Sequence, residues 1–114
     1  MPPRDWPLRV QDILEAIGRI ERHTRGLDFE GFRRSELAMD AVIRNFEVIG
    51  EAARFISSEL ETRHPDVPWA DMRGFRNVLV HEYFGVNTEI LWETAKNELP
   101  KLVAPLRRIL ETET

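Results

Sequence analysis

Cysteine is absent from the 114 residues of this sequence. That excludes disulfides, thiolate nucleophiles and Cys-zinc sites, and it fits a reducing cytosol. No apolar run approaches the about 18–20 residues that span a bilayer. The start, MPPRDWPLR, has none of the apolar core of a signal peptide. The expectation is a cytoplasmic protein without a membrane segment. An excess of positive charge is also missing. Lys and Arg number 16 against 20 Asp and Glu, a formal net charge of -4. Binding nucleic acid over the whole surface is therefore not the default, and any RNA contact must come from a local basic patch. The candidates are Arg33 with Arg34, Arg63 with His64, and Arg73 with Arg76; the first two pairs read as solvated surface charge. Histidines number three and lie far apart, with no His-x-x-x-His pair, so no metal site is expected. No Gly-rich phosphate loop occurs. Strand signals, internal repeats and low-complexity segments are missing as well.

What is present is helical periodicity. Hydrophobic residues make up 42% and charged residues 32%, the balance of an ordered chain, and the length suits a single domain over residues 1–114. Val10, Ile13, Leu14, Ile17 and Ile20 share one face of a helix expected over about Leu8 to Arg25, with Pro7 at its start and Gly26 at its stop. Asp28 caps a segment anchored by Phe29 and Phe32, either a short helix or the first turn of the next. A long helix is expected from about Ser35 to Arg63, on a stripe running from Ala38 through Phe46 and Ile49 to Leu60. Asn45 is a polar residue in that stripe, read either as a satisfied buried amide or as a group near the site. Gly50 suggests close approach of a neighbouring helix.

The segment from His64 to Pro68 breaks the helix with two prolines. The next helix is expected over Pro68 to Phe84, closed by Gly85. Asn87 caps the last one, whose stripe from Leu91 to Leu110 keeps one phase across Pro100 and Pro105, as a kinked or restarted helix would. The fold class is all-α: an antiparallel bundle of about four to five helices with short connections.

The chemistry-bearing residues gather in RNVLVHEY, Arg76 to Tyr83, which holds the only tyrosine. On a helical wheel Arg76 falls in an apolar row with Trp69, Met72, Leu79, Val80 and Tyr83, while His81 lies about 140° away. Val78, with Phe75 and Phe84 flanking, makes that second side apolar too. A helix apolar on two sides wants a second cover, and another copy of the chain would supply it. A histidine can move a proton near neutral pH and an arginine can hold a phosphate through two parallel hydrogen bonds. Asn77, one turn before His81, reads either as a group that orients the imidazole or the phosphate or as a helix-surface amide, and Arg73 could support Arg76.

RNVLVHEYFGVN resembles the signature of the HEPN superfamily in its HepT-like branch: Arg, four residues, His, one residue, Tyr. RNFEVIGEAA, Arg44 to Ala53, resembles the central-helix motif of that branch, and His64 to Asn77 resembles its proline-bounded approach to the catalytic helix. The resemblance covers nearly the whole chain. It implies a toxin of a toxin–antitoxin module: a metal-independent endoribonuclease with Arg76 and His81 as catalytic residues, working at the cleft of a two-fold homodimer. It implies as well a cognate minimal nucleotidyltransferase antitoxin that attaches AMP to Tyr83. The other readings are a non-catalytic helical adaptor that binds a nucleotidyltransferase or a nucleotide, and a plain dimerisation module.

Overall fold

The computed structural model describes the backbone of residues 5–81 and 87–113, and the side chains of residues 5–75 and 87–113. Helix α1, Trp6–Thr24, begins with Pro7 in its first turn, where the missing N–H has no helical partner to lose. Its buried residues Val10, Ile13, Ala16, Ile17, Ile20 and Thr24 recur at intervals of three and four. Gly26 ends it at a φ of 79°, a conformation open to glycine without strain.

Helix α2, Phe29–Arg34, is a short helix in its own right. The Asp28 carboxylate accepts the Gly31 amide at 2.8 Å, and buried Phe32 meets Trp92 with ring centroids 5.0 Å apart. Ser35 then caps α3, Glu36–Ala53, by accepting the Ala38 amide at 3.1 Å.

The long helix expected to reach Arg63 stops ten residues early, at Ala53. The amides of Phe55 and Ile56 reach back three residues to Ala52 and Ala53, and Ser57 turns extended. Its hydroxyl accepts the Leu60 amide at 3.2 Å and starts α4, Ser58–Arg63. The apolar stripe survives the break, for Ile56 and Leu60 are both buried. An unbroken helix would run about 44 Å, against about 28 Å for α1. Turning the chain at Ser57 folds Leu60 back onto the core. A serine side chain that competes for backbone amides makes such a turn possible without proline.

Val67 is buried in the break that follows, and α5 spans Trp69–His81. The remainder of the expected helix, to Phe84, lies outside the described residues. Asn87 caps α6, Thr88–Glu93, accepting the amides of Glu89 and Ile90. The chain then changes pitch without leaving its direction. The Leu99 amide reaches five residues back to Thr94 in a π-helical turn over Thr94–Glu98. A 3₁₀ turn follows over Leu99–Leu102, in which the Val103 amide reaches three back to Pro100. Helix α7, Val103–Thr112, completes the run. Pro100 has no N–H to bond the Lys96 carbonyl, so the ladder is rebuilt around it. One face nevertheless stays inward through Leu91, Ala95, Leu99, Leu102, Leu106 and Ile109, all buried.

Among the described residues no strand occurs. The fold is an antiparallel all-α bundle of four main helical runs, α1, α3, α5 and α6–α7, linked by the short α2 and α4. Helix α3 packs against α1 and α5, and α1 also packs against α7. No helix among the described residues is long and apolar enough to cross a membrane.

Candidate active site

The helix that carries the sequence motif is anchored at its N-terminal end. Trp69 and Met72 are buried, at 4% and 0% exposure. The Trp69 indole donates to the His64 carbonyl at 3.0 Å, tying the first turn of α5 to the end of α4. Arg73 reaches across to the Glu61 carboxylate on α4. Phe75, half-buried, packs on Phe46 of α3 with centroids 4.9 Å apart. Phe75, expected to flank a second apolar face, is packed against α3.

From this footing α5 continues as helix through positions 76, 77 and 81. Helical geometry separates Arg76 and His81 by about 7.5 Å along the axis and about 140° around it. The side chains of Arg76, Asn77 and His81 lie outside the described residues, and Tyr83 lies outside them altogether. Of the five residues assigned to the site from sequence, Arg73 alone has a described side chain, and its guanidinium has a carboxylate partner.

The other basic candidates are also engaged. Arg33 donates to Glu30 within α2 and is half exposed, as expected of solvated charge. Arg63, 48% exposed, also agrees with that expectation, whereas His64, 16% exposed, is half-buried and departs from it. Both contact Glu113, Arg63 through two hydrogen bonds at 2.8 and 3.0 Å and His64 at 2.8 Å. The Arg63 hydrogen bonds, followed by that of His64, hold the Glu113 carboxyl down to about 2, and the same contact raises the Arg63 guanidinium. This cluster closes the C-terminal end of α7 onto the end of α4. The partner could not be read from sequence, because it lies 49 and 50 residues away.

Asn45 is buried, and its amide donates to the Ala41 carbonyl at 2.8 Å, a satisfied group within its own helix. A cleft of about 400 Å³ opens at the head of α5, lined by Glu61, Pro65, Trp69, Asp71 and Arg73 among others. With two carboxylates to one guanidinium, it is a poor seat for a phosphate. Glu61 and His64 stand three apart, a spacing metal sites use, but each turns to a different partner, Arg73 and Glu113. Among the described residues no group of three or more His, Asp or Glu could hold a metal ion. Sequence reasoning missed Glu61 and Glu113 as the groups that position the approach to α5, and no local spacing signals either.

Comparison with known proteins adds what the described side chains do not carry. A family model described as Ribonuclease HepT-like matches residues 13–109. The chain is similar to a Thermococcus cleftensis protein named probable ribonuclease HepT, with 40% identity over 100 residues, 88% of this chain and 91% of the relative. It is also similar to a Methanocaldococcus jannaschii protein named as a candidate RNase, 38% identical over 102 residues, 90% of this chain and 94% of the relative. A third candidate RNase, from Caldanaerobacter subterraneus subsp. tengcongensis, is 36% identical over 104 residues, 91% of this chain and 93% of the relative. No solved structure matches at a significant level.

Proposed function

We infer the reaction and its control from one premise: the chain belongs to the ribonuclease HepT-like family. It is a ribonuclease. The finer reading is an RNA-cleaving toxin that acts in the cytoplasm as a single helical domain and uses Arg76 and His81. One observation carries it: α5 is continuous helix from its anchored head through the Arg-x4-His positions, inside the matched region.

RNA holds its own nucleophile, the ribose 2′-hydroxyl. His81 takes the 2′-hydroxyl proton, the 2′-oxygen bonds to phosphorus, and the bond from phosphorus to the 5′-oxygen breaks. The departing oxygen takes a proton from the medium. Imidazole, with an ordinary pKa near ~6.5, exchanges protons at neutral pH. Arg76 binds the phosphate through two parallel hydrogen bonds and stabilises the charge that builds on it. Asn77 orients the imidazole or the phosphate, and Arg73, held by Glu61, steadies the turn before them. These four residues do not require a metal for this route.

The active unit is a homodimer whose two Arg-His pairs face one cleft. Family resemblance supports this, as does the apolar side that Val78 and Phe84 make in the sequence pattern. A strictly monomeric mass by light scattering at micromolar concentration counts against it. The cognate partner is a minimal nucleotidyltransferase that attaches AMP to the Tyr83 hydroxyl. The added phosphate would lie near Arg76, pair with it and block the groove.

The decisive experiment is incubation of the purified, partner-free protein with total RNA in EDTA. Cleavage is expected. Its absence from a folded sample favours the adaptor reading. Co-expression with the nucleotidyltransferase should add one AMP to wild type and none to Tyr83→Phe, read by intact-protein mass spectrometry. Equal addition to both returns Tyr83 to a packing role.

A further inference from the structure

A second concave surface lies on the other flank of the bundle. A groove of about 280 Å³ runs between α1 and the π turn with α7. Leu14 and Ile17 on one wall and Ala95, Pro100 and Val103 on the other make its floor apolar. The α1 positions 14, 17, 18 and 21 cover about two helical turns, the length over which a docked helix presents apolar side chains one turn apart.

Gly18 keeps this groove open. A glycine inside a helix is unfavourable relative to alanine, so it needs a reason. Neither usual reason applies. Its φ is not positive, and a Cβ added there would meet only the Arg22 guanidinium, at an ordinary 3.5 Å. What the missing side chain leaves is space in the groove wall. Opposite it stands the π turn, a helix defect common at functional sites.

The rim is basic on a chain that is acidic overall. Lys96 and Arg107 line the groove, Arg22 stands beside Gly18 at its edge, and none of the three lies within ion-pair distance of a carboxylate among the described residues. Lys96 instead donates to the buried Thr24 hydroxyl at 3.1 Å and lies 5.4 Å from the Trp92 ring centroid. The one rim carboxylate, Glu21, is bound by Arg25, and Lys96 and Arg22 act on it only through space. We propose that this groove docks an acidic, amphipathic helix of a partner protein. Apolar side chains fill the floor between α1 and α7, and carboxylates on the flanks of the docked helix meet Arg22, Lys96 and Arg107. RNA fits less well, because the floor is aliphatic and offers no aromatic platform for bases. The inference does not depend on RNA cleavage. The groove involves α1 and α7, and α3 stands between α1 and α5.

The test is methyl NMR on the full chain. The probe is a helical peptide of about 14 residues, about four turns, made of leucine, alanine and glutamate with leucines one turn apart. The control peptide has lysine in place of every glutamate. The acidic peptide should shift the methyls of Leu14, Ile17 and Val103 but not those of Leu60 and Val67, and the control should shift none. Gly18→Leu, which fills the groove, and Lys96→Glu with Arg107→Glu should each weaken the binding by about tenfold or more. Gly18→Ala should fold with a raised Tm, since its Cβ has room. The proposal is overturned by equal binding of the lysine peptide, by undiminished binding to Gly18→Leu, or by a lowered Tm in Gly18→Ala. A short RNA or laurate that shifts these methyls when the acidic peptide does not also overturns it.

Discussion

The proposed site divides α5 into two halves. From Trp69 to Phe75 the side chains serve the bundle: Trp69 and Met72 are buried, Trp69 bonds the His64 carbonyl, Arg73 meets Glu61, and Phe75 lies on Phe46. From position 76 onward the same helix bears Arg76, Asn77 and His81, the residue types that chemistry needs. A helix fixed at one end can orient groups on the other without those groups contributing to stability. If that division holds, substitutions in the first half should lower stability, and those in the second should remove activity.

The largest effect is expected at His81. His81→Ala should lower RNA cleavage by about 10²–10⁴-fold while the melting temperature stays near that of wild type. Undiminished cleavage by the folded variant would remove His81 from the mechanism. Met72→Ala tests the other half. It should cost about 2–5 kcal/mol in urea unfolding, because Met72 is fully buried, and at low temperature the folded fraction should cleave RNA at the wild-type rate. A catalytic defect larger than the unfolded fraction accounts for would show that the halves are not separable.

A smaller effect is expected where the head of α5 leans on α4. Ser57→Ala removes the cap that starts α4 and should cost about 1 kcal/mol. Restoration of most of that stability by Asp at the same position would confirm a capping role. The smallest effect, present in full at neutral pH and lost in acid, belongs to Glu113. Its folded-state pKa is depressed to about 2 from an ordinary 4.5, so its contribution is complete above about 4.5 and disappears as pH falls toward 2. Urea midpoints measured from pH 6 to pH 2.5 should fall less steeply for Glu113→Gln than for wild type. Identical slopes would mean that the Arg63–His64–Glu113 cluster does not hold α7 to α4.

Much of the helix layout could be read in advance because its signals are local. Asp28, Ser35 and Asn87 cap the helices that follow them, since a side-chain oxygen two or three residues from a free amide needs no tertiary partner. Gly26 stops α1 for an equally local reason, its positive φ. The break at Ser57 was not legible. The apolar stripe continues through Ile56 and Leu60, and a period of 3.6 is the same whether the chain runs straight or turns. The site is legible in a different way. Arg76, His81 and Tyr83 stand out as a motif, whereas Glu61, which steadies the helix beneath them through Arg73, carries no local mark.

Amino-acid order alone determined the all-α class, most helix starts and the inward face of each helix, because periodicity and capping act over a few residues. It also determined the motif that places the chain in its family. The tertiary structure decided which charges are free and which are engaged. Half-exposed Arg63 and half-buried His64 are both bound by Glu113 from the far end of the chain. Arg73 turns to Glu61, and Phe75 is covered by Phe46. Ion pairs and ring contacts between helices depend on how whole helices pack, a quantity no short window of sequence contains.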